Sequence, residues 1–242
     1  MKHYGVVLQL TFVLLAALLV FGFVGAAKEG EMRRQCNAPC VLKPEYLGAD
    51  RTAPDFVFKD TDGKEVKLSS YRGKAVALSF WSKACEPCLD EMPELTQFSK
   101  LLSEKNAVLI TVASEETRAT LSVSALSEVV RTPEMNEREF DFKVKVQKAA
   151  LFLLTTKPFP VVFDPDGSIT REKFGTKLFP EMWIIDPRGV VRARFDGTKQ
   201  WTHPVVIQFI DEVATGVYCP VDMKSGQVTG KAAGLCNESN ER

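Results

Sequence analysis

Two cysteines two residues apart close the stretch Trp81-Ser82-Lys83-Ala84-Cys85-Glu86-Pro87-Cys88. A thiol pair at that spacing can cycle between dithiol and disulfide, provided the chain presents one sulfur for attack. Upstream, Val76-Ala77-Leu78-Ser79-Phe80-Trp81 is a short apolar run that reads as a buried strand. Downstream, Leu89, Met92, Leu95, Phe98 and Leu102 recur near helical spacing, which predicts a helix over Glu86 to Ser103. A strand feeding a helix places Cys85 at the helix N-terminus, where unpaired backbone N–H groups and the positive end of the dipole favour a thiolate. Cys85 is therefore expected to be the nucleophile. Cys88, one turn further in, is expected to resolve a mixed disulfide.

The elements around this pair alternate. Asp55–Lys59 and Glu65–Leu68 read as two strands joined at Thr61-Asp62-Gly63-Lys64, since Asp-Gly is a hairpin signal. After the cysteine helix come a strand at Ala107–Ala113 and a helix over Phe142–Leu154 with an apolar C-terminal half. Strand-helix-strand order implies a parallel core. Phe159–Phe163 reads as a further short strand, and Met182–Ile185 and Val190–Phe195 as antiparallel strands about the turn Asp186-Pro187-Arg188-Gly189. Pro204–Thr215 is an amphipathic closing helix. Ser114 to Asp141 is charged and weakly periodic; it reads as an insertion with a short helix near Leu121–Val130, and no function is assigned to it from sequence.

The chain has 242 residues, 45% of them hydrophobic, with Lys+Arg and Asp+Glu both 31, so there is no basic footprint for nucleic acid. Gly5 to Ala27 is nearly continuous apolar sequence, long enough to span a bilayer, with small residues at Val24-Gly25-Ala26-Ala27 where a signal peptidase could cut. Four parts are expected: 1–27, a signal peptide or transmembrane anchor; 28–52, a linker with a cysteine pair; 53–215, the catalytic domain; and 216–242, a cysteine-containing tail. Basic residues slightly favour the wrong orientation for export, since Lys28, Arg33 and Arg34 follow the segment. The six cysteines, all beyond the segment, argue for an oxidising exterior and carry more weight. The outer four, Cys36, Cys40, Cys219 and Cys236, are candidates for structural disulfides with three pairings open, and at least one bridge is expected to join the two terminal segments.

A lone Cys-x-x-Cys can also be half of a zinc site. Zinc would need two more ligands; Cys36 and Cys40 are poorly spaced for the task, and His3 and His203 do not cluster with them. His203 reads as a helix-start residue. No metal site and no prosthetic group are expected.

Several separated motifs carry a family resemblance. They are Ala53-Pro54-Asp55-Phe56, Asp62-Gly63-Lys64, Tyr71-Arg72-Gly73-Lys74, Phe80-Trp81, Cys85-Glu86-Pro87-Cys88, Glu91-Met92-Pro93-Glu94-Leu95, Phe179-Pro180 and Trp183-Ile184-Ile185-Asp186-Pro187-Arg188-Gly189. In order and spacing, from Ala53 to about Thr215, the chain resembles the membrane-tethered or periplasmic TlpA/ResA-type thiol-disulfide oxidoreductases of the thioredoxin superfamily. The resemblance implies an α/β, thioredoxin-like fold: a central mixed sheet flanked by helices, with an N-terminal β-hairpin and, here, an insertion. It implies a cis-proline at Pro180 and a substrate groove drawn from Trp81, Glu86, Pro87, Phe179 and Pro180. It also implies protein disulfide or dithiol substrates, re-reduction by a membrane or exported dithiol protein, and a location on the periplasmic side of a bacterial inner membrane. The Cys-Glu-Pro-Cys motif is similar to that of members that reduce apocytochrome c. Ala84 stands where Trp is usual, which implies a shallower groove beside Cys85.

Two other functions are weighed against this one. A thiol peroxidase would also use Cys85, but the Thr-x-x-Cys pocket that activates peroxide is missing; a Cu(I)-binding module would suit soft thiols, but Cys-x-x-x-Cys and an active-site histidine are not visible. Charge sets the expected direction of electron flow. Glu86, Asp90, Glu91 and Glu94 oppose a negative sulfur and Lys83 alone favours it, which predicts a weakly stabilised thiolate and a reducing couple.

Overall fold

The strand that delivers the dithiol is buried along its whole length: every residue of β4 (Ala75–Trp81) is covered, so it shows no in-out alternation. In this computed structural model, which describes residues 2–48, 50–59, 63–217, 219, 223–224, 227–228 and 236, β4 lies inside an eight-stranded mixed sheet. On one side it pairs parallel with β5 (Ala107–Ser114), which pairs parallel with β6 (Val161–Asp164). On the other it pairs antiparallel with β7 (Glu181–Ile185), itself antiparallel to β8 (Val191–Asp196). Parallel neighbours need crossovers. Helix α2 (Glu86–Ser103) supplies the first, and α3 (Arg118–Leu126) with α4 (Glu137–Thr156) the second.

Two apolar layers sandwich the sheet. One buries Leu89, Met92, Leu95 and Phe98 of α2 with Leu153 of α4 and Phe209 and Val213 of α5 (Pro204–Thr215). The other buries Phe56, Phe58, Leu78, Phe80, Phe174 and Trp183 under the small hairpin of β2 (Val57–Lys59) and β3 (Glu65–Lys67). That hairpin pairs Phe58 with Val66, as the alternation predicts; residues 60–62 of its expected turn lie outside the described residues. α5 begins where sequence places it, with His203 as its N-cap: Nδ1 accepts from the N–H of Val205 at 3.2 Å. The short insertion helix ends earlier than expected, at Leu126, because Ser127 is extended, while α4 starts earlier, at Glu137, capped by the Asn136 side chain.

The segment 28–52 departs from the linker expectation. A single helix, α1, runs from Lys2 to Leu42, and β1 (Tyr46–Leu47) then joins the sheet beside β8. Polar composition suggested an uncommitted connection, but the helix continues through it, with solvated turns giving way to buried ones. Arg33 pairs with Glu29 at 2.8 Å and Arg34 with Glu31 at 2.7 Å in the solvated turns, while Cys36, Ala38 and Cys40 are buried against the core, where α1 packs on α5. Disulfides Cys36–Cys219 and Cys40–Cys236, spanning 183 and 196 residues, tie this helix to the tail. The tail contributes β9 (Met223–Lys224) and β10 (Gln227–Val228) to the sheet edge. Toward its start α1 is apolar, with a mean hydropathy of 2.5 over its most apolar window, and its side chains there are uncovered, Phe12, Phe21 and Phe23 among them.

Candidate active site

Cys85 is the N-cap of α2, and Pro87 occupies the first turn, where its missing N–H costs nothing. The N–H of Cys88 donates to Cys85 Sγ at 3.2 Å, so a backbone donor of the open helix end points at that sulfur. The two sulfurs are joined at 2.04 Å in this structure. Their surroundings differ: Cys85 is half-buried, whereas Cys88 is 1% exposed beneath the helix. Attack from outside can therefore reach Cys85 and not Cys88.

Pro180 follows a cis peptide bond and is buried just before β7. The register Phe80↔Glu181 sets it beside the end of β4 that carries the dithiol. Phe179 is half-buried and packs against both apolar layers. Glu86 is half-buried and Pro87 exposed on the helix start. Trp81 is a correction: at 1% exposure it belongs to the core and cannot line an open groove, and among the described residues its Nε1 has no hydrogen-bond partner. The resemblance implied a groove residue, but β4 is covered on both faces through its last residue.

The charge reading is also corrected. Lys145 of α4, nearly sixty residues away in sequence, lies 3.0 Å from Glu86 and 2.7 Å from Asp90, and Arg138 lies 3.8 Å from Glu86. Hydrogen bonds that it donates to Asp90 and then Glu86 hold the Lys145 ammonium more firmly protonated than usual. Lys83, the cation expected to act on Cys85, is committed to Glu116 at 3.1 Å. Glu86 and Asp90 are thus matched by cations, and a count of four carboxylates against one lysine overstates the repulsion. Glu94 accepts from the backbone and hydroxyl of Thr202, both at 3.1 Å.

Glu91 is the residue that sequence undervalued. It is buried, and its Oε1 accepts from Trp201 Nε1 at 2.5 Å and from the N–H of Lys199 at 3.3 Å. Burial pushes its carboxyl up to about 7, against the opposing pull of those donors. It lies three residues after Cys88, on the same helix face, and that spacing was the available signal. Its burial beneath the loop carrying Trp201 was not. Among the described residues no group of three or more His, Cys, Asp or Glu could hold a metal ion.

A thioredoxin-like sheet, with a Cys-x-x-Cys opening the helix after its central strand and a cis-proline alongside, defines the class of thiol-disulfide oxidoreductases. Residues 49–194 match the AhpC/TSA family. The chain is 31% identical over 147 residues to the thiol-disulfide oxidoreductase ResA of Geobacillus thermodenitrificans, covering 61% of this chain and 68% of that one. It is 28% identical over 172 residues to ResA of Bacillus subtilis, covering 71% and 79%. It belongs, then, to the AhpC/TSA family and within it to the ResA-type thiol-disulfide oxidoreductases of the thioredoxin superfamily. Among solved structures it is similar to the exposed lipoprotein thioredoxin Etrx1 of Streptococcus pneumoniae, at 28% identity and a TM-score of 0.44, covering 66% of this chain and 99% of that one. A thiol:disulfide interchange protein, DsbE, of Chlorobium tepidum gives 24% identity and a TM-score of 0.46, covering 71% and 98%.

Proposed function

We propose that the chain reduces disulfides in other exported proteins through Cys85 and Cys88. The Cys85 thiolate attacks one sulfur of a substrate disulfide, forming a mixed disulfide and releasing the other substrate sulfur as a thiolate. Cys88 gives up its proton and attacks Cys85 Sγ, which releases the second substrate thiol and leaves the Cys85–Cys88 disulfide. Two electrons pass to the substrate, and a second protein dithiol returns them. Glu91, three residues after Cys88 and with its carboxyl pushed up to about 7, is the residue we assign to accept the Cys88 proton. The observation that carries this reading is the unequal exposure of two bonded sulfurs at one helix start.

The reducing direction is supported by the pairing of the rim charges. Lys83 and Lys145 are both committed to carboxylates, so the Cys85 thiolate is left mainly with the helix end and one backbone N–H. A thiolate with modest stabilisation belongs to a reducing couple. The Cys-Glu-Pro-Cys motif supports apocytochrome c as one substrate. An apolar helix with uncovered side chains, followed by two long-range disulfides, supports placement on the outer, periplasmic side of a membrane, attached by α1 or released by cleavage.

The test is a trap. Replacing Cys88 by Ala should leave mixed disulfides held on Cys85, which reduction releases for identification, and alkylation of the reduced wild type should mark Cys85 before Cys88. Labelling Cys88 first, or trapping no protein, would sink the assignment of roles.

A further inference from the structure

The segment that sequence left without a function builds a wall next to the dithiol. Helix α3, the extended chain 127–136 and helix α4 enclose a groove of about 560 Å³, and its inner end is formed by Lys83 and Ala84, directly before Cys85. Its lining is mainly apolar: Val123 from α3, Val130 and Met135 from the connection, Phe142 and Val146 from α4. Ala84 was expected to leave a shallow surface. With a methyl group at that position and the insertion standing beside it, the surface instead continues into a groove.

Three observations say what the groove takes. Val123 and Val130 are 65% and 59% exposed, and Leu126, on the same helix as Val123, is 82% exposed, so the lining and its lip present apolar area with nothing seated on it. The lysines at its edge are matched internally, Lys83 with Glu116 and Lys143 with Glu139, which leaves Glu128 as the other charged residue of a lining that is otherwise apolar or neutral. Finally, the groove borders the reacting residue: Lys83 and Ala84 in its lining immediately precede Cys85. A substrate sulfur must approach Cys85 Sγ to about 2 Å to bond, so residues a few positions from the substrate cysteine come within reach of the groove. An occupant seated during turnover is then a neighbouring part of the same substrate chain.

We infer that the insertion is a substrate-selection groove, which seats an apolar side chain a few residues from the substrate's reactive cysteine and so selects disulfides with apolar flanks. This rests on the exchange reading above and names the substrate class for that site. Strand-end and helix-start residues perform the exchange, while the insertion chooses which disulfide is presented.

The test uses the reduced full chain and two disulfide-bonded peptides equal in length and charge, one with Leu and Phe beside the cysteines and one with Ser and Gly. Seating one apolar side chain predicts a preference of about tenfold or more in the second-order rate constant for the apolar peptide. Val123→Glu and Val130→Glu change exposed side chains, so the fold should survive, which circular dichroism checks. Each variant should bring the preference to within about twofold, chiefly by slowing exchange of the apolar peptide. Equal rates for both peptides in the wild type, or a preference that survives both variants, would overturn the groove and leave the exchange reading standing. Exchange of neither peptide would bring down both readings together. A wild-type dimer in sedimentation that Val130→Glu dissociates would assign the groove to a second copy of the chain, and so would also overturn the inference.

Discussion

The three disulfides of the molecule stand in two different settings. Cys36–Cys219 and Cys40–Cys236 join positions nearly two hundred residues apart, with Cys36, Cys40 and Cys219 all at 5% exposure or less. Cys85–Cys88 joins positions three apart, and its first sulfur is partly open at a helix end. A long closed loop removes much denatured-chain entropy, so the outer bridges act on stability. A three-residue loop removes little, and its bond serves as a place to hold and pass on two electrons. The difference teaches that access and loop length separate a staple from a reagent.

The strongest way to break that contrast is to remove one sulfur from each setting. Cys85→Ser should lower disulfide exchange to the uncatalysed background while both outer bridges persist in non-reducing peptide maps. Exchange that survives would move the reaction to another pair.

On the other side, the outer bridges lie close together, 4 residues apart on α1 and 17 apart on the tail. With one in place, the other closes only a small extra loop, so removing either one should cost about 3 kcal/mol and removing both about 8 kcal/mol. Denaturant titration of Cys36→Ala, Cys40→Ala and the double variant checks this. Exchange per folded molecule should not change, and a loss of rate in the singles would show that the staples also shape the site.

Glu91 sharpens the reactive setting, because it is buried on the face that carries Cys88. Its folded carboxyl is raised to about 7 while the unfolded chain titrates near the ordinary value of 4.5. Between those values the native state holds the extra proton, so stability falls as pH rises from about 4.5 to 7 and stays lower above, by about 3 kcal/mol in all. Glu91→Gln should flatten that part of the pH–stability curve. An unchanged slope would mean that the carboxyl is better solvated than its burial indicates.

The smallest effect concerns the matched charges. Lys145→Ala leaves Asp90 without this cation and Glu86 with Arg138 alone, which destabilises the nearby Cys85 thiolate and makes the couple more reducing. Solvent and salt screen charges this exposed, so the shift is small. Glu86→Gln should move the potential the other way by less, since Lys145 keeps Asp90 as a partner. Redox equilibration of the three proteins measures both shifts, and a more oxidising potential in Lys145→Ala would refute the sign.

Much of this site is legible in local order. The apolar run ending at Trp81 and the apolar spacing from Leu89 to Leu102 place the dithiol at a strand-to-helix junction, and β4 and α2 form there. Backbone hydrogen bonding within a helix and the periodicity of burial are properties of neighbours in sequence, which is why they can be read so. His203 as a helix cap and Asp186 at the β7–β8 turn are legible for the same reason.

What the chain order could not supply was decided by contacts between distant segments. Lys145 meets Glu86 because α4 packs on α2, and Trp201 seals Glu91 because the chain returns before α5; neither neighbour is signalled by spacing. The helix through Cys36 and Cys40 was hidden by the polar composition of the solvated turns before them. The choice among three disulfide pairings depended on which tail cysteine lies beside which turn of α1. Sequence by itself determined that two thiols would stand at a helix start after a buried strand, because short-range pattern fixes both elements. Tertiary packing decided which sulfur stays accessible, which charges around it are cancelled and what surface lies beside it, because burial and electrostatics are set by what folds back against a residue.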